Sequence, residues 1–237
     1  MSAVPSLRLM GVLGGMGPAA TLDFLAKVLA ANPVQADQDH VPMIIYNVPQ
    51  IPDRVAPIFA GTDEPLDAMQ QGMASLQGAG VAGIAIACVT AHHWYERLAQ
   101  NCSVPVLHIA DATAQALHAR ASAKRLALLA TRGTCRSGFF SRRLAVQGFE
   151  IVVPDEDVQI YIDQAIAAIK RADHASATIA AEAAGAALEA QSLTDLLLAC
   201  TELPMAFAAT RYHARCLDST LALAEACVAF SRSDHQR

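Results

Sequence analysis

The chain has 237 residues and a formal net charge of −5, with 54% hydrophobic and 16% charged residues. This composition can bury a large core and excludes a disordered chain. The charge offers no basic surface for nucleic acid or anionic lipid, so we expect neither as a partner. The N-terminus lacks the pattern of a signal peptide, and no apolar run reaches the roughly 18 residues of a membrane helix. We therefore expect a soluble cytoplasmic protein.

Eight short apolar runs predict β-strands, and helical patterns lie between most of them. The alternation of apolar strands with helices predicts parallel sheets that are covered on both faces. The predicted strands are Arg8–Leu13, Pro42–Asn47, Ala82–Ala87, Pro105–His108, Arg125–Ala130, Phe149–Val153, Asp195–Ala199 and Ala214–Leu217.

Two helices carry start signals in the sequence. Pro18, directly after Gly17, is typical of a first helical position, and this helix is expected to end at Asn32. Thr62 or Asp63 is predicted to cap the N-terminus of another helix. Apolar residues recur along that helix at helical spacing, at Leu66, Met69, Met73 and Leu76.

The two halves of the chain carry the same landmarks in the same order. "RLMGVLGGMG" resembles "RLALLATRGT", and "ACVT" after the third strand resembles "ACTE" after the seventh. "VLHIADAT" and "RCLDST" then follow at similar distances. The repeat predicts an α/β fold of two pseudo-symmetric lobes, each a mostly parallel four-stranded sheet flanked by helices, with a ligand cleft between the lobes. We place the lobes at residues 1–115 and 116–237, with a C-terminal segment that can pack with the first lobe.

Two of the six cysteines, Cys88 and Cys200, stand at the ends of equivalent strands. None of the six forms a C-x-x-C pair, so we expect no zinc or dithiol site, and most of them are expected to be small buried hydrophobes. Two thiols on opposite walls of a cleft suit the inversion of a stereocentre. One removes a proton as thiolate, and the other returns a proton from the opposite face. The alternative is that both cysteines only pack beneath the sheet edge.

Polar groups at neighbouring strand ends can bind the carboxylate of an amino acid. Thr90, Thr134 and Thr201 are hydroxyl donors there, although threonines at strand ends often only satisfy turn backbone. The glycine-rich loop around Met16 precedes a helix and can present N–H groups to an anion. Its G-x-G-x-x-A pattern also fits a dinucleotide loop, but the next strand ends in Asn47 and not in the acid that would hold a ribose.

The basic residues and histidines near these positions each have a functional and a structural interpretation. Arg54 can bind a carboxylate through two parallel N–H groups, or it can donate to carbonyl groups of its own loop. Lys170 ends a predicted helix, where a solvated cation is ordinary. His92 and His93 follow Cys88 on a predicted helix, where one of them either tunes the thiol or has a structural role.

The sequence resembles the aspartate/glutamate racemase family, and the aspartate racemases more than the glutamate racemases. The motifs span nearly the whole chain: "GGMGP", "DHVPMIIYNVPQIPDR", "ACVTAHHWY", "LLATRGTCRSGFF", "VVPDEDVQ" and "ACTELP". The second cysteine motif reads Cys-Thr-Glu, whereas the glutamate enzymes have histidine after the threonine. The resemblance implies a two-base mechanism without pyridoxal phosphate or metal, a site between two α/β lobes, and a homodimer.

The resemblance also implies roles for individual residues. Cys88 and Cys200 match the catalytic pair, and Thr90 and Thr201 match hydroxyls that bind the substrate carboxylate. Glu202 matches the acid that adjoins the second cysteine and tunes its protonation. The predicted substrate-binding set is Met16, Asn47, Arg54, Val89, Thr90, Thr134, Lys170, Thr201 and Glu202.

Substrate choice rests on two basic residues and two departures from the family pattern. Arg54 and Lys170 fall where aspartate racemases recognise a side-chain carboxylate, which favours aspartate or glutamate. Val89 and Val48 stand where the family is expected to have asparagine, which makes the pocket more apolar. A racemase with slower turnover, or one with a broader or shifted choice of substrate, is therefore also considered. The alternatives are a hydantoin racemase or maleate isomerase of the same fold, and an amino-acid-binding homologue with weak or lost turnover.

Overall fold

The computed structural model describes residues 7–120 and 124–233. The outer ends of the predicted lobe ranges, residues 1–6 and 234–237, lie outside the described residues. The strands are β1 (Met10–Gly14), β2 (Met43–Asn47), β3 (Gly83–Ile86), β4 (Val106–Leu107), β5 (Arg125–Ala130), β6 (Glu150–Val152), β7 (Leu196–Ala199) and β8 (Cys216–Asp218). The α-helices are α1 (Pro18–Ala31), α2 (Val55–Ala60), α3 (Leu66–Gly78), α4 (Tyr95–Gln100), α5 (Ile109–Ala119), α6 (Arg132–Ser137), α7 (Phe139–Ala145), α8 (Glu156–Lys170), α9 (His174–Ala190), α10 (Leu203–Phe207) and α11 (Ser219–Arg232).

The strands form two four-stranded sheets, both parallel and both in the same order. The orders are β2-β1-β3-β4 and β6-β5-β7-β8. In the first sheet Val12 of β1 lies between Ile45 of β2 and Ala85 of β3. The predicted α/β fold with a repeated four-stranded sheet is therefore confirmed. Central strands β1, β3 and β7 are buried throughout, which is why they appear as unbroken apolar runs in the sequence.

The helix boundaries are confirmed in one case and wrong in another. Helix α1 begins at Pro18 and is capped at its C-terminal end by Asn32, whose backbone N–H donates to Leu29 O. Helix α3 begins after Pro65 and has no side-chain cap. The predicted cap fails because the Asp63 carboxylate accepts a hydrogen bond from Trp94 Nε1 at 2.7 Å and is occupied elsewhere.

The last helix lies on the first sheet although it follows the second. Helix α11 packs against α1, α5, β3 and β4. The ring of Phe230 fills the space beside Gly83, where an added Cβ would lie 2.6 Å from the ring. Arg8 N–H donates to Ser231 O at 2.9 Å, and Ser231 Oγ donates to Arg8 O at 2.8 Å. One hydrophobic cluster, with Val12 in β1 and Leu128 in β5 among its members, joins the two sheets. Among the described helices, none has the length and apolar character needed to cross a membrane.

Candidate active site

Two cysteine side chains stand at the carboxyl ends of equivalent strands, one in each sheet. Cys88 follows β3 and Cys200 follows β7, and they are 5% and 4% exposed. Parallel strands deliver whatever follows them to one edge of the sheet, so the repeat brings both thiols to one cavity. The residues that line it are Met16, Asp53, Arg54, Val55, Cys88, Val89, Thr90, Thr131, Lys170, Cys200, Thr201 and Glu202.

The cavity is small. Its volume is about 30 Å³, which holds about one or two water molecules and not an amino acid. The lining comes from both halves of the chain, with Cys88 at the end of one strand and Cys200 at the end of the other.

Most of the residues predicted from sequence line this cavity, but two do not. Asn47 is exposed at the end of β2, away from the lining. Thr134 lies behind the wall and contacts Thr90, with 3.1 Å between the hydroxyl oxygens. Sequence reasoning missed Asp53, Val55 and Thr131, which also line the cavity. The position of Thr131, directly after β5, was a signal that could have found it, since the ends of the other central strands were already candidates.

Cys200 faces an acid. Its Sγ–H donates to Glu202 Oε2 at 3.0 Å, and Thr201 Oγ1 donates to the same oxygen at 2.9 Å. Glu202 is only 5% exposed. Burial raises the pKa of the Cys200 thiol well above its ordinary value, and the negative charge and hydrogen bonding of Glu202 raise it further. Cys200 is therefore held as the protonated thiol.

Cys88 faces a cation. Burial raises the pKa of this thiol, while the positive charge of Arg54 and the backbone N–H of Ala91 act in the opposite direction. The loop that carries Arg54 is closed by its own side chain, since Nη1 donates to Ile51 O at 3.1 Å and to Pro52 O at 2.7 Å. Arg54 Nε is buried and has no hydrogen-bond partner among the described residues. On balance the pKa of both thiols is raised by burial, and the charge with the largest effect is that of Arg54 for Cys88 and that of Glu202 for Cys200.

Three threonine hydroxyls join the two lobes beside the thiols. Thr90 Oγ1 lies 2.9 Å from Thr131 Oγ1 and 3.1 Å from Thr134 Oγ1, and Thr131 and Thr134 are 3.1 Å apart. The close approach depends on Gly133, where an added Cβ would lie 3.2 Å from Val55 Cα and 3.3 Å from Thr90 Cγ2. The hydroxyls of Thr90 and Thr131, which line the cavity, can donate to a carboxylate.

The glycine-rich loop is held from within. Gly15 has a φ of +92°, and an added Cβ would lie 2.4 Å from the backbone of Val48. The N–H of Gly15 donates to Thr21 Oγ1 at 2.9 Å, and Thr21 Oγ1 donates to Gly17 O at 3.0 Å. The predicted use of these N–H groups for an anion does not extend to Gly15, because its donor is already occupied. Met16 is the residue of this loop that lines the cavity.

The remaining lining is mixed in charge and polarity. Val89 is 2% exposed and contributes no donor or acceptor from its side chain. Lys170, the last residue of α8, reaches the cavity from an exposed position. The basic Arg54 and Lys170 are matched by the acidic Asp53 and Glu202. No group of three or more His, Cys, Asp or Glu residues within the described ranges is arranged to hold a metal ion.

A thiol beside a cation and a thiol beside an acid, both facing one small cavity, suit an isomerase that moves a proton between two faces of a carbon atom. The model of the family described as Asp/Glu/Hydantoin racemase matches residues 13–227, and the chain therefore belongs to that family. The prediction of an enzyme of the racemase class is confirmed by this membership.

Three relatives illustrate the likeness. The broad specificity amino-acid racemase RacX of Bacillus subtilis is 32% identical over 234 residues, which covers 93% of this chain and 96% of the relative. The aspartate racemase of Picrophilus torridus is 32% identical, with a TM-score of 0.83 over 94% of this chain and 93% of its own. The glutamate racemase of Francisella tularensis, solved with D-glutamate, has 14% identity and a TM-score of 0.67 over 95% and 81% of the two chains, and it shows the fold alone.

Proposed function

We propose that this protein is a racemase that interconverts the L and D forms of an amino acid without pyridoxal phosphate or metal. Cys88 and Cys200 are the two acid–base groups, one on each face of the α-carbon. The observation that carries the proposal is the pair itself: two buried thiols from equivalent strand ends line one cavity and have neighbours of opposite charge.

The charged neighbours of the two thiols give them different roles in proton transfer. Arg54 favours the thiolate form of Cys88, which removes the α-proton from one enantiomer. Cys200, held as a thiol against Glu202, returns a proton from the opposite face. In the reverse direction Cys200 must begin as the thiolate, and Glu202 is placed to accept its proton. Hydroxyls of Thr90, Thr131 and Thr201 stabilise charge that develops on the substrate carboxylate.

The substrate is an amino acid with a free carboxylate, and aspartate or glutamate is the first candidate. Arg54 and Lys170 in the lining are the basic groups that a second carboxylate needs. The Picrophilus torridus relative, described as an aspartate racemase, is in line with this choice.

A broader choice of amino acids is the second candidate, and Val89 favours it. This side chain faces the cavity without a polar atom, where the family pattern has asparagine. A pocket that lacks a polar contact discriminates weakly against substrates that lack the matching group. The description of the Bacillus subtilis relative as a broad specificity amino-acid racemase points the same way.

The test of the reaction is incubation of a single enantiomer in deuterium oxide without added cofactor. We expect L-aspartate to yield D-aspartate that carries deuterium at the α-carbon. Cys88→Ala and Cys200→Ala should each abolish racemisation, whereas Cys102→Ala, a half-buried thiol outside the lining, serves as the control. Full activity in both variants of the lining cysteines would contradict the mechanism.

The same assay separates the alternatives. A panel of amino acids at equal concentration distinguishes an aspartate- or glutamate-specific enzyme from a broad one. A covalent adduct between a cysteine and an unsaturated diacid, detected by mass spectrometry, would favour a maleate isomerase, and turnover of a hydantoin would favour a hydantoin racemase. Tight binding without exchange of the α-proton would favour a binding homologue. We also propose a homodimer, on the strength of family resemblance, which light scattering of the purified protein tests.

A further inference from the structure

A buried histidine in the turn after Cys88 has both ring nitrogens bonded to backbone. His92 is 2% exposed and lies in the 3-10 turn Thr90–Trp94, where the sequence predicted an α-helix. Its Nδ1 is 2.9 Å from Cys88 O, and the N–H of Ile109 donates to its Nε2 at 3.3 Å. A carbonyl can only accept and a backbone N–H can only donate, so the proton is on Nδ1.

This ring stays neutral and takes no direct part in the cavity. Burial lowers the pKa of His92 to about 4, so the ring is uncharged at neutral pH. The side chain is absent from the cavity lining and packs instead near the rings of Tyr95, His108 and Phe139. His92 therefore acts on the thiol only through the backbone that it holds.

The bond to Cys88 O fixes the start of the turn that faces the thiol. The backbone N–H of His92 donates to Val89 O at 3.0 Å, and its ring Nδ1–H donates to Cys88 O. Ala91 belongs to the segment held by these two contacts, and its N–H lowers the pKa of the buried Cys88 thiol. Through Ile109, the first residue of α5, the ring also joins this turn to the end of β4.

The second half of the chain has no histidine at the position that corresponds to His92. The residue that follows Cys200 at the spacing of His92 is Pro204, which has no side-chain donor. There Ser219, the first residue of α11, donates its hydroxyl to Leu198 O in the cysteine-bearing strand at 2.8 Å. In both halves, hydrogen bonds connect the helix after the fourth strand to the segment that carries the cysteine. Only in the first half do these hydrogen bonds include the backbone carbonyl of the cysteine itself.

We propose that His92 is a positioning residue for Cys88: its Nδ1–H holds the Cys88 carbonyl so that the turn presents its N–H groups to the thiol. The part of this inference that concerns turnover rests on the proposed racemase function. The part that concerns the reactivity of Cys88 does not.

Two amide variants separate the ring's two contacts. The amide nitrogen of His92→Asn reaches the position of Nδ1 and keeps the bond to Cys88 O. The amide of His92→Gln reaches the position of Nε2, accepts from Ile109 and leaves the Cys88 carbonyl without its donor. Each variant leaves one backbone group unpaired, so we expect similar losses of stability. His92→Phe keeps the ring packing and removes both bonds, and exposed His93→Gln in the same turn is the control.

The first measurement is the rate of iodoacetamide alkylation of Cys88 against pH, followed by mass spectrometry of its peptide. We expect His92→Gln and His92→Phe to alkylate Cys88 about tenfold more slowly at a given pH, the effect of losing one hydrogen bond to a charged group. His92→Asn and His93→Gln should match the wild type. Equal Cys88 profiles in Gln and wild type, or equal losses in Gln and Asn, would overturn the proposal.

The second measurement is racemisation. We expect kcat to fall about 100-fold in His92→Gln with little change in KM, the cost of a small misplacement of a reacting group. If the wild type does not racemise any amino acid, the proposed function fails, and the alkylation profiles still decide the role of His92. If His92→Gln does not fold, His92→Phe takes its place in both measurements with the same expected losses.

Discussion

Replacing Glu202 by glutamine removes the negative charge next to Cys200 and leaves the rest of the cavity in place. In the structure Cys200 Sγ lies 3.0 Å from Glu202 Oε2, and both residues are buried. A hydrogen bond to a charged group contributes about 1.5–3 kcal/mol, and each pKa unit corresponds to about 1.4 kcal/mol. The glutamine oxygen can still accept a neutral hydrogen bond. We therefore expect the pKa of the Cys200 thiol to fall, so that at a given pH its alkylation becomes faster by about tenfold or more.

The assay is alkylation of the two thiols in the same sample across a pH series, with mass spectrometry of the peptides that contain Cys88 and Cys200. In Glu202→Gln the Cys200 profile should move to lower pH. The Cys88 profile serves as an internal control, because Glu202 is a minor influence on its pKa compared with burial and Arg54. Thr201→Val, which loses only the second hydrogen bond to the carboxylate, should move the Cys200 profile much less.

Racemisation gives the second readout of the same change. A thiolate of lower pKa is a weaker base towards the α-proton, and glutamine cannot accept the proton of Cys200, so turnover that begins with a Cys200 thiolate should slow. The two enantiomers have equal free energy, so kcat/KM must fall by the same factor in both directions, and the asymmetry appears in kcat and KM separately. An unchanged or upward shift of the Cys200 profile in Glu202→Gln would refute the assignment of Glu202 as the charge that holds this thiol protonated.

Three further predictions concern the lining, the contact between the lobes and the response to acid. Val89→Asn should raise the preference for aspartate over an apolar amino acid by about tenfold or more, because it restores a polar contact in a buried pocket; competing substrates in one assay measure the ratio. Gly133→Val should force α6 away from Val55 and Thr90, with a loss of about 1–3 kcal/mol of unfolding free energy and a rise in KM; Gly78→Val, at an open position without a positive φ, controls for the added side chain. The pKa of His92 is about 4 when folded and near 6.5 when unfolded, so the unfolded state binds more protons between these values. Stability should then fall by up to about 3 kcal/mol as the pH drops from 6.5 to 4, with less of a fall in His92→Asn, as urea unfolding at each pH would show.

The strands could be predicted from the sequence for a local reason. Strands buried on both faces must be apolar throughout, so β1, β3 and β7 stand out as short runs bounded by turn residues. Because the two halves repeat the same landmarks, the sequence predicts the same sheet in each lobe, and the second sheet does have the same order as the first. The position of a cysteine directly after a strand can likewise be read from the sequence.

Contacts between distant segments lay beyond such patterns. Asp63 looks like a helix cap, and only the fold brings Trp94 close enough to take its carboxylate. Thr131 joins the cavity because Gly133 lets α6 approach α2 from the other lobe. His92 follows a cysteine in the chain, but the partner that fixes its tautomer, Ile109, comes from a later helix.

By itself the sequence determined the fold class, the two equivalent strand ends and the pair of thiols, since apolar periodicity and repetition are properties of short segments. The tertiary structure alone decided which charge faces each thiol, which threonine hydroxyls lie beside the thiols and how small the cavity is. The physical reason is that burial, charge and hydrogen bonding act through distance in space, and the groups that set the protonation of Cys88 are separated from it along the chain.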